Sequence, residues 1–395
     1  MDLDALLVRI SDLGASDVHL KLGKPPVIRR DGSIEPLEGE PTMTEGLLQE
    51  VVAAITISAP ERHQLFVSSG ELDIGYECAG QRYRVNAFMQ RGAISVVCRV
   101  IPQEIPSFEA LRMPPGVRRL AEEHRGLVLV TGATGSGKST TLAAMIDHIN
   151  RTRKQHIITI EDPIEMLHPD RSSIVNQREV GIDTVSFSQA LRRALRQDPD
   201  VILIGELRDP ETAETALQAA ESGHLVFSTM HTVDAAETIG RMIEFFPGAK
   251  QPMIRSILAG VLKGVVSQRL LPMPDTGRIA AVEVMVVNDR IAELIRESRT
   301  EEISTAIREG SYYDMQTLTQ ALLELTIAGH VDRDTATNAA PNAHDFQIAL
   351  AHAEKALAAE AAEQAATEAD PADADSTEPD WRSLLGAAQL PTGAA

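Results

Sequence analysis

The chain has 395 residues, of which 43% are hydrophobic, so it is long enough for two or three packed domains of a mainly soluble protein. Its formal net charge of -20 and aromatic content of only 3% disfavour nucleic acid as a partner, because phosphate backbones are repelled and stacking surfaces are scarce. No signal-like N-terminus and no uncharged apolar run of about 18 residues is present, which predicts a cytoplasmic protein whose contact with a membrane is peripheral. Cys78 and Cys98 match neither a zinc site nor a redox pair and are expected to be free thiols.

The first hundred residues predict a small α+β domain. Hydrophobic spacing marks its elements, which are helices at 2–13 and 46–55 and strands at 18–22, 72–76, 81–88 and 93–99. Prolines are concentrated between Ile101 and Pro115, as in a linker. We therefore assign residues 1–101 to an N-terminal domain and residues 102–116 to a connection.

Over residues 117–350 apolar runs alternate with helical segments, which predicts a mostly parallel α/β sheet with helices on both faces. The predicted strands are 127–131, 157–160, 201–204, 225–229 and 279–287. The predicted helices include 190–196 and 211–221, and further helices broken by turns are predicted over 253–271 and 291–325. Ligands of such sheets bind beyond the carboxyl ends of the strands. Polar residues follow each of the first four runs, so we predict that four strand ends converge on one site.

The stretch that follows the first of these strands has the composition of a phosphate-binding loop. Its residues are Gly132, Ala133, Thr134, Gly135, Ser136, Gly137, Lys138, Ser139 and Thr140. Glycines let successive backbone N–H groups point into one concavity, and the following helix adds the positive end of its dipole. Lys138 is predicted to reach the β- and γ-phosphates of ATP, and the Ser139 hydroxyl to ligate Mg²⁺.

Carboxylates follow two of the other strands. Nucleotide hydrolysis requires an oriented water, and the residues themselves leave open whether Glu165 or Glu206 polarises it. Glu161 and Asp162 are expected to belong to the shell of the metal or to orient other groups. These residue types at strand ends predict hydrolysis in addition to nucleotide binding.

Histidines and arginines complete the predicted site. His224 and His231 stand at the two ends of one apolar strand, and a neutral histidine can report the γ-phosphate through a hydrogen bond. Arg82, Arg84 and Arg99 lie on strands of the N-terminal domain. They are the candidates for arginines that act in trans if the nucleotide lies at a domain or subunit interface.

Residues 351–395 are rich in Ala, Glu, Asp, Thr and Pro and predict an acidic, disordered tail. The tail contains Trp381, which is the only tryptophan of the chain. The alternative hypothesis is a short docking peptide around Trp381 that folds against a partner.

Four motifs in one order resemble the PilT family of type IV pilus retraction ATPases, a group of secretion-type motors. They are a Walker A box at 132–139, an aspartate box at 158–165, an atypical Walker B box at 201–209 and a histidine box at 223–232. Shorter matches lie at 14–19, 82–88, 177–181 and 315–317, so the resemblance covers about residues 1–345. It implies a PAS-like N-terminal domain and a RecA-like P-loop ATPase domain in a homohexameric ring, with ATP bound between domains.

The resemblance also implies roles. Glu165 is expected to be the general base and Glu206 the Walker B acid near Mg²⁺. The family's activity implies a motor that drives pilus retraction and twitching motility. Its expected partners are other copies of itself, a pilus platform protein of the inner membrane and a second pilus ATPase, and its expected location is the cytoplasmic face of that membrane.

Two departures keep an alternative open. The stretch 290–297 retains only the second half of a motif usual in the retraction family, and the acidic extension is atypical. Both features resemble the accessory retraction ATPases of the PilU type. An assembly or type II secretion ATPase is disfavoured, because no cysteine follows Cys98 to form the zinc motif usual there. A nucleic-acid motor on the same fold is disfavoured by the net charge.

Overall fold

The structure is a computed structural model that describes residues 2–30, 32–101 and 104–368, with side chains described up to residue 359. Its strands, β1 to β13 in chain order, are Asp17–Lys21, Val27–Arg30, Ser33–Pro36, Glu71–Cys78, Gln81–Gln90, Ala93–Val100, Gly126–Thr131, His156–Glu161, Ile174–Glu179, Val201–Ile204, Leu225–Met230, Leu262–Pro272 and Arg278–Val286. Its α-helices, α1 to α14, are Leu3–Asp12, Glu45–Ile55, Pro60–Ser69, Pro115–Ala121, Lys138–Thr152, Phe187–Ala194, Pro210–Glu221, Ala235–Glu244, Gln251–Val261, Asp289–Arg296, Ile303–Arg308, Leu318–Ile327, Arg333–Ala339 and Ala343–Glu368. No helix in this described part of the chain is both long and apolar enough to cross a membrane.

One compact unit combines the residues up to Ile105 with Ile149–Gly205. Six of its strands form an antiparallel sheet in the order β3–β2–β1–β6–β5–β4, and three more are parallel in the order β10–β8–β9. The predicted alternation of β5 is confirmed, since Tyr83, Val85 and Ala87 are fully buried while Arg82 and Arg84, at the alternating positions, are not. The Tyr83 hydroxyl donates to the Leu7 carbonyl at 2.9 Å, which ties α1 to this sheet.

The second compact unit combines Pro106–His148 with the described residues from Glu206 onward. Its strands have the order β13–β12–β7–β11, with β7 parallel to both neighbours and β13 antiparallel to β12. Leu127 to Val130 are fully buried, as expected for a strand covered on both faces. The predicted start of α7 is also confirmed, because the Asp209 side chain accepts from Thr212 N at 2.8 Å ahead of a first-turn proline. The α/β class is therefore confirmed, while the domain boundaries at 101, 116 and 350 stay a prediction.

The prediction that 253–271 is helical is wrong beyond Val261. Helix α9 ends at Val261, and the chain continues as β12, which pairs with β7 on one side and β13 on the other. A short apolar run does not by itself distinguish a strand from a buried helix, and here the two neighbouring strands satisfy its backbone groups. The sequence pattern also gives no sign of β2, β3, β9 and α3.

The C-terminal prediction differs from the structure over its first part. Residues expected to be disordered from 351 onward continue helix α14 as far as Glu368. Phe346 and Leu350 of this helix pack with Leu322 of α12 in a buried apolar cluster. Trp381 and its hypothetical docking peptide lie outside the described residues.

Candidate nucleotide-binding and catalytic site

The glycine loop joins β7 to α5 in the strand–loop–helix context predicted for it. Gly132, Gly135 and Gly137 have φ angles of 139°, 80° and 91°, which residues with a Cβ rarely adopt. A Cβ on Gly132 would lie 2.6 Å from Ser136 Oγ. The loop therefore requires glycine for its conformation as well as for access to its backbone amides.

The interior of this loop suits a chain of phosphates. Lys138 Nζ donates to the carbonyl oxygens of Gly132 at 2.8 Å and Ala133 at 3.0 Å, so the ammonium group lies inside the loop. The Ser136 and Thr141 hydroxyls are buried and have no hydrogen-bond partner among the described residues. Buried hydroxyls of this kind are expected to bond a water or a ligand oxygen. Residues 133–135 and Ser139 are exposed and Thr140 is half-buried, which leaves this part of the loop accessible.

Gln268 on β12 contacts the phosphate loop, although its sequence context gives no sign of it. Its Nε2 donates to the Ser136 carbonyl at 2.7 Å, and its Oε1 is buried without a partner in the described part of the chain. Its backbone carbonyl fills the space where a side chain on residue 132 would stand. Only the parallel pairing of β12 with β7, in which Ser267 lies opposite Thr131, brings this glutamine to the loop.

The structure places Glu206 and His231 together in the same unit as the loop. Leu207 N donates to the Thr229 carbonyl at 3.0 Å, which fixes the Glu206 segment beside β11. His231 Nε2 lies 3.3 Å from Glu206 Oε2, and Arg208 forms an ion pair with the other carboxylate oxygen. Met230 lies opposite Thr131 in the parallel pair β11 and β7, so both segments begin at the strand edge where the loop begins. Glu206 is only 14% exposed, whereas Arg208 is 68% exposed.

His224 is at the opposite edge, and its predicted contact with the γ-phosphate at this loop is wrong. Its Nδ1 lies 3.0 Å from both the Ala219 carbonyl and the Ser222 hydroxyl at the end of α7. Its carbonyl accepts from Gly126 N, the first residue of β7, at 2.9 Å. A strand of this length separates its two ends by roughly 20 Å, so the two histidines that bracket β11 cannot reach one phosphate. His224 instead closes the turn between α7 and β11.

Glu283 supports the segment that follows His231. Its Oε1 accepts from Ala235 N at 2.9 Å, in the first turn of α8. Burial raises the pKa of Glu283 to about 7, and the nearby Asp234 carboxylate acts in the same direction. Backbone hydrogen bonds from Ala235 and Leu318 and the charge of Arg269 oppose that rise in the pKa. The sequence signals only a strand at this position, because the partner helices come from distant parts of the chain.

Stability is expected to depend on pH through Glu283. Its folded pKa of about 7 exceeds the ordinary value of 4.5, so its favourable contribution is complete below pH 4.5 and is lost as the pH rises through 7. The loss is on the order of 3 kcal/mol. We expect Glu283→Gln to reduce the fall in Tm between pH 5 and pH 8, measured by thermal unfolding, whereas the exposed Glu221→Gln leaves it unchanged. An unaltered pH dependence in Glu283→Gln would show that the carboxyl group titrates normally.

In the other unit, Arg84 links Asp73 to Glu165. Its guanidinium donates to Asp73 Oδ2 at 2.7 Å and lies 3.5 Å from Glu165 Oε1. The bonds to Asp73 raise the pKa of Arg84, so the group stays cationic. About 40% of each of the Arg84 and Glu165 side chains is exposed, so this pair remains accessible to a ligand.

Arg99 lies opposite Arg84 on the neighbouring strand, as expected for two arginines of one sheet face. Its Nε donates to Asp17 Oδ1 at 2.8 Å, and 66% of its side chain is exposed. Burial would raise the pKa of Asp17, but the hydrogen bonds from Arg99 and Ser16 outweigh this effect and lower it. Arg99 is therefore anchored at one nitrogen, with much of its side chain accessible.

Arg82 and Glu161 have internal partners instead. Arg82 is 13% exposed and forms an ion pair with the buried Glu179, so its guanidinium is less accessible than those of Arg84 and Arg99. Glu161 accepts from the Thr159 hydroxyl at 2.6 Å and from Gln177 Nε2 at 3.1 Å, and burial raises its pKa. These contacts assign Glu161 to the support of the loop that follows β8.

The two residues predicted to bind a metal, Ser139 and Glu206, are compatible with magnesium in their chemistry. Among the described residues no group of three or more His, Cys, Asp or Glu side chains is arranged to hold a metal. Mg²⁺ commonly takes only one or two protein oxygens and completes its shell with water and phosphate. The Ser139 hydroxyl and the Glu206 carboxylate are such hard oxygen donors, so the predicted pair suits this ion in its chemistry.

Comparison with known proteins gives consistent matches. The family described as Type II/IV secretion system protein matches residues 80–275. The chain is 45% identical over 349 residues to the type IV pilus retractation ATPase PilT of Pseudomonas aeruginosa, covering 88% of this chain and 100% of that protein. It is 38% identical over 352 residues to the type IV pilus ATPase PilU of the same organism, covering 89% and 91%. The crystal structure of the pilus retraction motor PilT with bound ADP matches at a TM-score of 0.80 and 44% identity, over 87% of this chain and 98% of that chain.

Proposed function

This chain belongs to the PilT family of type IV pilus retraction ATPases, and from that premise we propose that it hydrolyses ATP to power retraction of a pilus. The observation that carries the proposal is the glycine loop with its buried Lys138, at the same strand edge as the Glu206–His231 pair. A loop that only bound a nucleotide would not need an acid and a histidine held together beside it.

The second unit supplies groups for binding the nucleotide. The amides of 132–140 and Lys138 hold the phosphates, and Ser139 and Glu206 hold Mg²⁺. When bound, Mg²⁺ neutralises charge that develops on the transferred phosphoryl group. His231, whose ring is oriented by Glu206, donates a hydrogen bond to an oxygen of the γ-phosphate. The ADP held by the solved relative supports the choice of nucleotide.

Glu165 and two arginines are the groups proposed for the chemical step. We assign Glu165 as the general base that takes a proton from the attacking water. Arg84, held by Asp73, keeps a positive charge beside that carboxylate. Arg84 and Arg99 are also the proposed arginines that act on the nucleotide of a neighbouring subunit, since both retain accessible guanidinium groups.

The proposed assembly is a homohexameric ring. In it the antiparallel N-terminal sheet serves as a PAS-like domain and the P-loop part as a RecA-like ATPase. The proposed partner is a pilus platform protein, met at the cytoplasmic face of the inner membrane, and the acidic charge argues against nucleic acid. An acidic tail beyond residue 368 remains part of the proposal.

A role as the main motor is preferred to the accessory role. Lys138, Glu165 and Glu206 are all present, so the chain has what hydrolysis by itself requires. The accessory alternative rests on the stretch 290–297, which in the structure is largely helix α10, and on the 38% identity to PilU. ATPase activity of the purified chain alone, measured with its oligomeric state, decides between them. A hexamer without ATPase activity would favour the accessory role.

The metal-binding carboxylate gives a specific test. We expect Glu206→Gln to lower kcat by roughly 10²-fold and to raise the Mg²⁺ concentration needed for half-maximal activity, because a neutral amide is a weaker ligand. Phosphate release across a magnesium titration measures both effects. The matched control is Glu214→Gln, whose carboxylate forms a surface ion pair with Lys250. Wild-type turnover and magnesium dependence in the Glu206 variant would reject this assignment.

A further inference from the structure

The segment 177–181 forms the end of β9 and the start of the following turn, and the proposed function gives it no role. It runs parallel to β8, with Glu179 opposite Glu161. The loop that carries Glu165 leaves β8 immediately after Glu161. Two side chains on this strand, two residues apart and therefore on one face, contact that loop.

Gln177 binds the part of the loop that follows Glu165. Its Nε2 donates to the Met166 carbonyl at 2.9 Å, and its Oε1 accepts from His168 N at 2.7 Å. The same Nε2 lies 3.1 Å from Glu161 Oε1. One amide side chain thus joins the start of the loop to the residues just beyond Glu165.

Glu179 binds the part of the loop that precedes Glu165. Its carboxylate is 2% exposed and accepts from Ile164 N at 3.1 Å and from Gly75 N on β4 at 3.2 Å. Its charge is balanced by the guanidinium of Arg82 on β5. One buried carboxylate therefore contacts both the N-terminal sheet and the residue next to Glu165.

Arg82 contacts both Glu179 and the Ile164 backbone. Its Nε donates to the Ile164 carbonyl at 2.9 Å while its Nη2 donates to Glu179. Both polar groups of the Ile164 backbone are thus bound by the two members of one ion pair. Gly75 leaves room for that pair, because a Cβ there would lie 2.8 Å from Glu179 Oε2 and closer still to the guanidinium.

We propose that Glu179, together with Arg82, is a positioning residue that fixes the Glu165 loop and makes strands β4 and β5 of the N-terminal sheet part of the hydrolytic apparatus. The inference rests on the proposed role of Glu165. Removal of one member leaves the other buried and unpaired, so the pair is broken rather than weakened. A small displacement of Glu165 is expected to lower the rate of ATP hydrolysis considerably. The phosphate loop belongs to the other unit and is expected to stay intact.

The test combines kinetics with hydrogen exchange on the full chain. We expect Glu179→Ala to lower kcat by about 10- to 100-fold while KM for ATP changes by less than about threefold. Without nucleotide, we expect the Ile164 amide to exchange at least about tenfold faster, read from a peptide spanning Glu161–Met166. The control is Glu35→Ala, which removes the carboxylate of an exposed ion pair with Arg30 in the same unit. Both quantities are expected to stay at wild-type values in that control.

The kinetics and hydrogen exchange of the Glu179 variants show whether Glu179 positions the Glu165 loop. Normal kcat and normal Ile164 exchange in a folded Glu179→Ala hexamer would overturn it, as would a lowered Tm with unchanged kcat, which indicates a structural ion pair only. If Glu179→Ala does not fold, the same two measurements are made on Glu179→Gln. We expect kcat to fall by at least about threefold in that variant. Wild-type turnover in Glu165→Gln would reject the proposed base, but the exchange of Ile164 would still show whether Glu179 holds the loop.

Discussion

Replacement of Lys138 by alanine is expected to abolish ATP hydrolysis, with kcat reduced by about 10³-fold or more. Lys138 supplies the positive charge inside the glycine loop, and its two bonds to loop carbonyls hold that charge where phosphates would lie. Loss of the ammonium group therefore removes both stabilisation of the phosphoryl group and a contact that closes the loop. The measurements are phosphate release at saturating ATP and ATP affinity by calorimetry.

A lysine of similar size elsewhere in the same unit provides the control. Lys250 is 54% exposed and forms a surface ion pair with Glu214, so Lys250→Ala is expected to retain wild-type turnover. Melting temperature and oligomeric state are compared for both variants, because a folded but inactive Lys138→Ala chain is the expected result. More than about a tenth of wild-type turnover in that variant would contradict the assignment of the loop.

Glu165→Gln is expected to lower kcat by about 10²- to 10⁴-fold with ATP affinity largely kept. The amide cannot take a proton from water. Arg84 keeps its hydrogen bond to Asp73, so we expect the surrounding side chains to stay in place. Turnover and ATP affinity are measured on the same preparation. The exposed Glu71→Gln on β4 serves as the control for a lost carboxylate in that unit.

This variant also separates the two candidate carboxylates. If Glu165 is the base, its amide variant loses turnover at every Mg²⁺ concentration, while the Glu206 variant recovers part of its activity as Mg²⁺ is raised. The reverse pattern would exchange the two roles. Equal and complete recovery of both variants would contradict a catalytic role for either residue.

Local chemistry in the sequence predicts much of the site. The glycine loop, the capping of α7 by Asp209 and the alternation of β5 each depend on residues a few positions apart. The adjacency of Glu206 and His231 also follows from general rules, because the carboxyl ends of parallel strands lie along one edge. The same rule identifies Glu165, which follows a strand of the same kind.

Other features depend on residues that are distant in the chain. Spacing alone suggested that His224 and His231 share one task, but a strand has two ends, and the pairing of β11 with β7 puts only His231 at the loop. Alternation placed Arg82 and Arg84 on one face, yet Glu179 buries the first while the second stays accessible. No local pattern distinguishes these two arginines.

Short-range conformational and chemical constraints specify the phosphate loop, the α/β class and the residue types needed for hydrolysis, so all three can be predicted from the residues alone. The three-dimensional fold is needed to establish that 262–272 is a strand, that Gln268 contacts the loop and that Glu179 with Arg82 binds the Ile164 backbone. Each of these features depends on hydrogen bonds between buried polar groups that are distant in the chain. The pairing of whole strands determines which of these groups lie close enough to bond.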